Sequence, residues 1–186
     1  MESLKLRPQP RGSCFVMEEA ARLESVTPLP DDPDFESFFR AEYGRLCEAL
    51  YLLTRDPFEA EDLAQETMTR VLERWERVRE MESPIGYAYR TALNLNHKRR
   101  RRIAVRARKA FAAVPSEDHS ETVGDQRDVQ QALAKLPAGQ REALVLVDWL
   151  AMDSEQAGRV LGIGANSVRV RIHRARSSLR RQLGGD

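Results

Sequence analysis

The chain has 186 residues, enough for one ordinary domain or two small ones, and with 32% charged and 6% aromatic residues any core must be small and mostly aliphatic. Its net charge of +1 hides a strong segregation: Glu18 to Glu36 is mainly acidic, whereas Lys98, Arg99, Arg100, Arg101, Arg102, Arg106, Arg108 and Lys109 follow one another with no acid between them, a pattern that suits a polyanion partner for part of the chain. The composition excludes several classes: Cys14 and Cys47 form neither a metal pattern nor a disulfide framework, no apolar run is long enough to span a bilayer, and the N-terminus lacks the order of a signal peptide.

In chain order, residues 1–33 are rich in proline and charge without an apolar period, and read as a disordered N-terminal extension. From Phe35 the pattern changes. Phe35, Phe39, Tyr43, Leu46, Leu50 and Leu53 recur at helical spacing and predict a first long helix. Asp56-Pro57 predicts a stop and a restart, with aspartate as N-cap, proline at the first helical position and Glu59 as capping-box partner. Leu63, Thr67, Val71, Trp75 and Val78 then define the inward face of a second helix. Ser83-Pro84 repeats the cap-and-proline signal, and a third helix runs through Ile85, Tyr89 and Leu93 into the arginine run. Residues 105–126 lose periodicity and gain Pro, Ser, Asp and Gly toward their end, so they read as a linker. Helices resume at Arg127, break at Leu136-Pro137, and continue from Pro137 to Leu150. No convincing strand alternation occurs. The fold class is therefore all-α: two small helical domains, 34–104 and 127–184, joined by a flexible linker.

The last thirty residues carry the strongest functional signal. Asp153 and Gln156 predict a capping box, and Ala157, Val160 and Leu161 an inward face. Gly162 stands where a helix C-cap takes a left-handed residue, with Ile163 filling the space between two helices. A final helix buries Val168, Ile172, Ala175 and Leu179. Its other faces carry Arg169, Arg171, His173, Arg174, Arg176, Arg180 and Arg181, and no acid occurs between Glu155 and Asp186. This is the pattern of a helix-turn-helix whose second helix enters a DNA major groove. A basic amphipathic helix on a membrane surface is the other reading, but the opposing large aromatic face it needs is missing.

Three constellations mark the first domain. Glu59, Asp62 and Glu66 share a helix face, open to three readings: a solvated helix start, a dock for a basic protein surface, or carboxylate ligands for metal-dependent nuclease chemistry. Tyr87, Tyr89, Asn94, Asn96 and His97 lead into the basic run, a mix of rings, amides and cations that suits opened nucleic-acid strands; the bland alternative makes Tyr89 core and Asn94 a polar helix position. The run from Lys98 to Lys109 suits phosphate contact or, less specifically, a solvated tether.

Together these residues resemble the extracytoplasmic-function (ECF) sigma factors of the bacterial sigma-70 family, over about Phe35 to Leu183. Three segments carry the resemblance: Glu61-Asp62-Leu63-Ala64-Gln65-Glu66-Thr67, Tyr87-Ala88-Tyr89-Arg90-Thr91-Ala92-Leu93-Asn94, and Leu136 to Ala143 followed by Val168 to Leu179. The resemblance implies a non-enzymatic, cytoplasmic transcription initiation factor, without metal or cofactor, that works with the RNA polymerase core. Residues 34–104 would be region 2 and 127–184 region 4. Asp62, Gln65 and Glu66 would dock on the clamp helices, and region 4 would also meet the flap. Tyr87, Asn94, Asn96, Arg99 and Arg100 would contact the minus-ten element, with loop 79–84 helping to hold a flipped base. Ser167, Arg169, Val170, Arg171, His173 and Arg174 would read the minus-thirty-five element. An anti-sigma factor is the further implied partner, and no membrane contact is implied. Gly164, Asn166 and Val170 depart from common family residues, which leaves the promoter sequence open. The competing function is a stand-alone helix-turn-helix regulator that uses the final helices only.

Overall fold

The computed structural model describes residues 34–110 and 125–183. The N-terminal extension and most of the expected linker lie outside them. Eight α-helices and one π turn make up the secondary structure among the described residues: α1 Phe35–Thr54, α2 Pro57–Leu72, α3 Trp75–Val78, α4 Pro84–Ala110, α5 Asp125–Ala134, α6 Ala138–Leu144 with a π turn over Val145–Trp149, α7 Ser154–Leu161 and α8 Ala165–Leu183.

Local chemistry sets most boundaries. Asp34 caps α1 through Ser37 N, and Asp56 caps α2 through Phe58 N and Glu59 N, with Pro57 at the start. Glu59 does not close the expected capping box. Its carboxylate turns to Arg99, 3.2 Å away. Between α1 and α2 the chain reverses through Arg55 in the left-handed region, φ 66°, a conformation that costs an L-residue roughly 1 kcal/mol or more. Ser83 accepts from Gly86 N at 3.0 Å and so starts α4.

Two boundaries differ from the sequence-based expectation. The helix expected to run from Pro57 to Val78 breaks at Glu73-Arg74 and resumes as α3. The break turns Trp75 so that its ring meets Phe35 edge-on at 5.6 Å and Phe38 at 5.2 Å. Trp75, Val71, Val78 and Ala88 then form a small cluster of their own. The other difference is α4, which continues to Ala110 rather than yielding to linker at 105. Alanines and arginines, both good helix formers, dominate that stretch.

The principal apolar cluster joins the two regions. Leu46, Leu50 and Leu53 of α1, Leu63 and Ala64 of α2, and Tyr89, Ala92 and Leu93 of α4 share it with Val145, Leu146 and Leu150 after α6, Ala157 and Val160 of α7, and Val168 and Ile172 of α8. The cause is legible in Ala143 to Leu150, which is apolar on nearly every side. A helix of that kind needs cover on more than one face. The C-terminal helix α8 covers one face, and α1 and α4 of the N-terminal helices cover the other. Each fully buried leucine at this seam contributes about 2 kcal/mol.

Candidate functional site

The acidic face is the outer face of α2. Ala60, Leu63, Ala64, Thr67 and Met68 point into the core, which leaves Phe58, Asp62, Gln65, Glu66, Thr69 and Leu72 exposed. At 3.6 residues per turn, Phe58, Asp62, Gln65, Thr69 and Leu72 fall on one line. The line has apolar ends, with Phe58 71% and Leu72 53% exposed, and polar or acidic residues between. Glu66 pairs with Arg70 at 2.7 Å and Asp62 with Arg99 at 3.5 Å. Glu59, Asp62 and Glu66 thus face cations, and no group of three or more His, Cys, Asp or Glu that could hold a metal ion occurs among the described residues. Phe58 and Leu72 were not among the sequence-derived candidates, although their spacing with Asp62 and Gln65 carried the signal. Exposed apolar residues at both ends of a charged stripe are the pattern of a protein interface.

The residues expected at the minus-ten element do not share one environment. Asn94 and Arg100 are exposed. Tyr87 is half-buried, and its hydroxyl accepts from Arg74 at 3.0 Å. Arg99 lies between Glu59 and Asp62, so it links the acidic face to the basic run. Asn96 is a correction: it is buried at 1% exposure, with neither amide atom bonded to a protein group. It sits one turn beyond Ala92 and Leu93 on the buried face of α4, where a base cannot reach it.

The reader helix α8 takes the predicted form. Asp153 accepts from Glu155 N and Gln156 N, and Gln156 returns the bond to Asp153 N, which completes the capping box. Gly162 ends α7 in the left-handed region at φ 68°. The tight turn has a second requirement that sequence reading missed: a Cβ on Gly158 would lie 2.7 Å from the Ile163 carbonyl oxygen. Val168, Ile172 and Ala175 face inward. Ser167, Arg169, Val170, His173 and Arg174 are exposed, and Arg171 is half-buried against the backbone of Gly139. Arg176 is committed elsewhere: its guanidinium binds Asp148, one of the two bonds measuring 3.1 Å, and this pairing raises its already high pKa.

Between the segment 81–87, which runs from the loop into the first turn of α4, and α7 lies a cleft of about 440 Å³. Glu42 and Tyr89 line it, and Glu42 Oε2 and the Tyr89 hydroxyl have no protein partner. Burial raises the Glu42 pKa, only partly countered by Arg45. A carboxyl with a raised folded-state pKa stabilises the fold in its protonated form, and that contribution is lost as pH rises through the folded value. Glu42→Gln is therefore expected to match the wild type at acid pH, where Glu42 is protonated in both states, and to be the more stable of the two at pH 7. Thermal unfolding across that range measures the difference.

Comparison with known proteins places the fold in a family. The family model for sigma-70 region 2 matches residues 38–106, and that for sigma-70 region 4 matches residues 126–179. The RNA polymerase sigma-E factor of Streptomyces coelicolor is 28% identical over 152 residues, covering 81% of this chain and 86% of that protein. The ECF RNA polymerase sigma factor EcfG of Rhodopseudomonas palustris is 30% identical over 124 residues, covering 64% and 68%. The sigma factor RpoE of Bartonella quintana, solved in complex with the anti-sigma factor NepR, superposes with a TM-score of 0.71 at 24% identity, over 82% of this chain and 98% of that one. With both regions matched in order on an all-helical fold, the chain belongs to the sigma-70 family of RNA polymerase sigma factors, in its ECF class.

Proposed function

We propose that this sigma factor docks on the RNA polymerase core through the outer face of α2, with Asp62, Gln65 and Glu66 at its centre and Phe58 and Leu72 at its ends. The observation that carries the reading is the order of three surfaces along the chain: an exposed acidic stripe, an exposed amide and cation edge on α4, and a basic reader helix. Each surface suits a different partner: the clamp helices of the core, the opened minus-ten strand, and the minus-thirty-five duplex. Asn94 would face a flipped base, whose extrusion costs a few kcal/mol, while Tyr87, Arg99, Arg100 and loop 79–84 hold the strand around it. Ser167, Arg169, Val170, Arg171, His173 and Arg174 would meet the duplex, where an apolar Val170 suits a thymine methyl and the arginines suit guanine edges or phosphates. Region 4 would also reach the flap.

The chain supplies no catalysis of its own in this reading. It works in the cytoplasm beside the polymerase, and no helix among the described residues is long and apolar enough to cross a membrane. An anti-sigma factor is a fitting regulator, given the RpoE relative solved with one. Run-off transcription with purified core and a matched promoter tests the proposal. Initiation that requires this chain supports it, whereas tight duplex binding with no effect of core supports the stand-alone regulator. Replacing Arg169 and Arg174 by alanine is expected to weaken promoter binding by roughly 1–3 kcal/mol each if they read bases. If they meet phosphates, each loss instead lowers the salt slope by about one. A salt titration of promoter affinity separates the two.

A further inference from the structure

We infer that the free chain holds itself in a closed state, with region 4 latched on region 2, and that the His97–Glu142 pair is the latch. Glu142 lies on α6 with a side chain only 6% exposed, and His97 Nε2 on α4 is 2.6 Å from its carboxylate, across the boundary between the regions. Beside it Arg141 donates to the Leu53 carbonyl oxygen at the end of α1, also across the boundary. At the other edge of the seam Arg90 meets the Arg159 carbonyl oxygen at 3.4 Å, and Arg159 faces Glu82 at 3.8 Å. Leu50, Leu53 and Leu93 pack on Val145, Leu146 and Leu150 between these polar contacts, around a void of only about 10 Å³. Glu142 meets His97 of α4 directly and faces Arg141 on its own helix, and Arg141 in turn feels the like charges of Arg100 on α4 and Arg55 after α1. Glu142 thus ties α6 to α4 through His97 and sets an acid beside Arg141, whose other charged neighbours, Arg100 and Arg55, only repel it.

The closed state cannot serve two promoter elements together, and this step rests on the reading given under Proposed function. Arg90, one turn from Asn94, touches α7, and α7 packs on the reader helix α8. The two DNA surfaces are thus about two helix diameters apart, roughly 20 Å. Elements about 25 base pairs apart lie about 85 Å apart along B-form DNA. The regions must separate before both elements are held. The seam suits such an opening, because the cleft beside it leaves Glu42 Oε2 and the Tyr89 hydroxyl without protein partners, groups that gain hydration when the regions part.

Spin labels at Glu76→Cys and Gln182→Cys, in a Cys14→Ser background, report the distance between the regions in the full-length free chain; Cys47 is buried. The wild-type pair is expected to give one short, narrow population. His97→Ala strips Glu142 of its partner and is expected to raise the open fraction roughly tenfold, as suits the loss of one hydrogen bond to a buried charge. Glu142→Gln, which preserves shape, is expected to open the chain in the same direction. Far-UV circular dichroism checks that both variants keep their helices, as the half-exposed His97 and the isosteric glutamine lead one to expect. A broad, long distance in the wild type overturns the inference, as does a wild-type distribution in both variants. The measurement uses no polymerase and no DNA. A closed, latch-dependent free chain that fails to initiate transcription therefore leaves the latch standing and removes the proposed function instead.

Discussion

Replacing Arg141 by alanine is expected to destabilise the chain by roughly 3 kcal/mol, the largest effect on folding foreseen for any polar side chain here. The guanidinium donates to three backbone carbonyl oxygens: Leu53 at 3.1 Å, Ala134 at 2.9 Å and Leu136 at 3.1 Å. Ala134 is the last residue of α5 and Leu136 lies just past it, where carbonyls have no partner within the helix. One side chain thus finishes α5 and ties region 4 to α1. Burial lowers the Arg141 pKa, and Arg100 and Arg55 lower it further, but arginine stays charged in such surroundings. Lysine at this position is expected to recover little, because an ammonium on a flexible stem cannot reach three diverging oxygens as a planar fork does. Urea unfolding followed by circular dichroism measures the loss, as a fall in midpoint of about 1–2 M for an ordinary dependence on denaturant. A midpoint within 0.3 M or so of the wild type would show that the freed carbonyls find other donors.

The local part of the fold was open to sequence reading because its signals are local. Asp56, Ser83, Asp153 and Gly162 mark ends by chemistry that acts within four residues, and the structure has helix ends at each. The face of α2 was legible for the same reason: carboxylates three and four residues apart share a face wherever the helix sits. Asn96 could also have been placed correctly, because Tyr89, Ala92 and Leu93 stand one and two turns before it on an apolar line, and the neighbouring arginines drew attention away from that period. The break at Glu73-Arg74 had no such signal. Neither residue is a helix breaker, and the turn is set by rings brought from α1. Arg55 carries a positive φ without being glycine, for a similar reason of tertiary context. Arg141 and Glu142 read from sequence as polar positions on a short helix. Their partners, Leu53 and His97, are 88 and 45 residues away, and one sequence gives no measure of such pairings. The seam between the regions was hidden in the same way. Ala143 to Leu150 was plainly too apolar for one face, but nothing local says which helix covers the second.

Reversing Asp62 and Glu66 to lysine together is expected to lower affinity for core polymerase at least a hundredfold, with little change in stability. Both side chains are well exposed, at 66% and 51%, and their ion pairs with Arg99 and Arg70 are of the surface kind worth about 0–1 kcal/mol. Unfolding should therefore move little. At an interface the sign matters more, because juxtaposed like charges cost several kcal/mol and slow the encounter as well. Glu76→Lys, 85% exposed on α3 and away from the stripe, changes charge without touching that face and is expected to bind core normally. Phe58→Ala divides the apolar part from the charged part, since a 71% exposed ring contributes to an interface rather than to the core. Asp62 shares Arg99 with Glu59, so under the proposed docking a partner that captured Asp62 would also loosen Arg99 for a phosphate. Asp62→Asn alone is then expected to weaken core binding while leaving Arg99 freer for DNA, whereas the lysine reversal repels the core outright. Binding of core measured for each variant at two salt concentrations decides the matter. If affinity for core is indifferent to the sign of charge at 62 and 66, the stripe is an ordinary solvated helix face and the polymerase contact lies elsewhere on the chain.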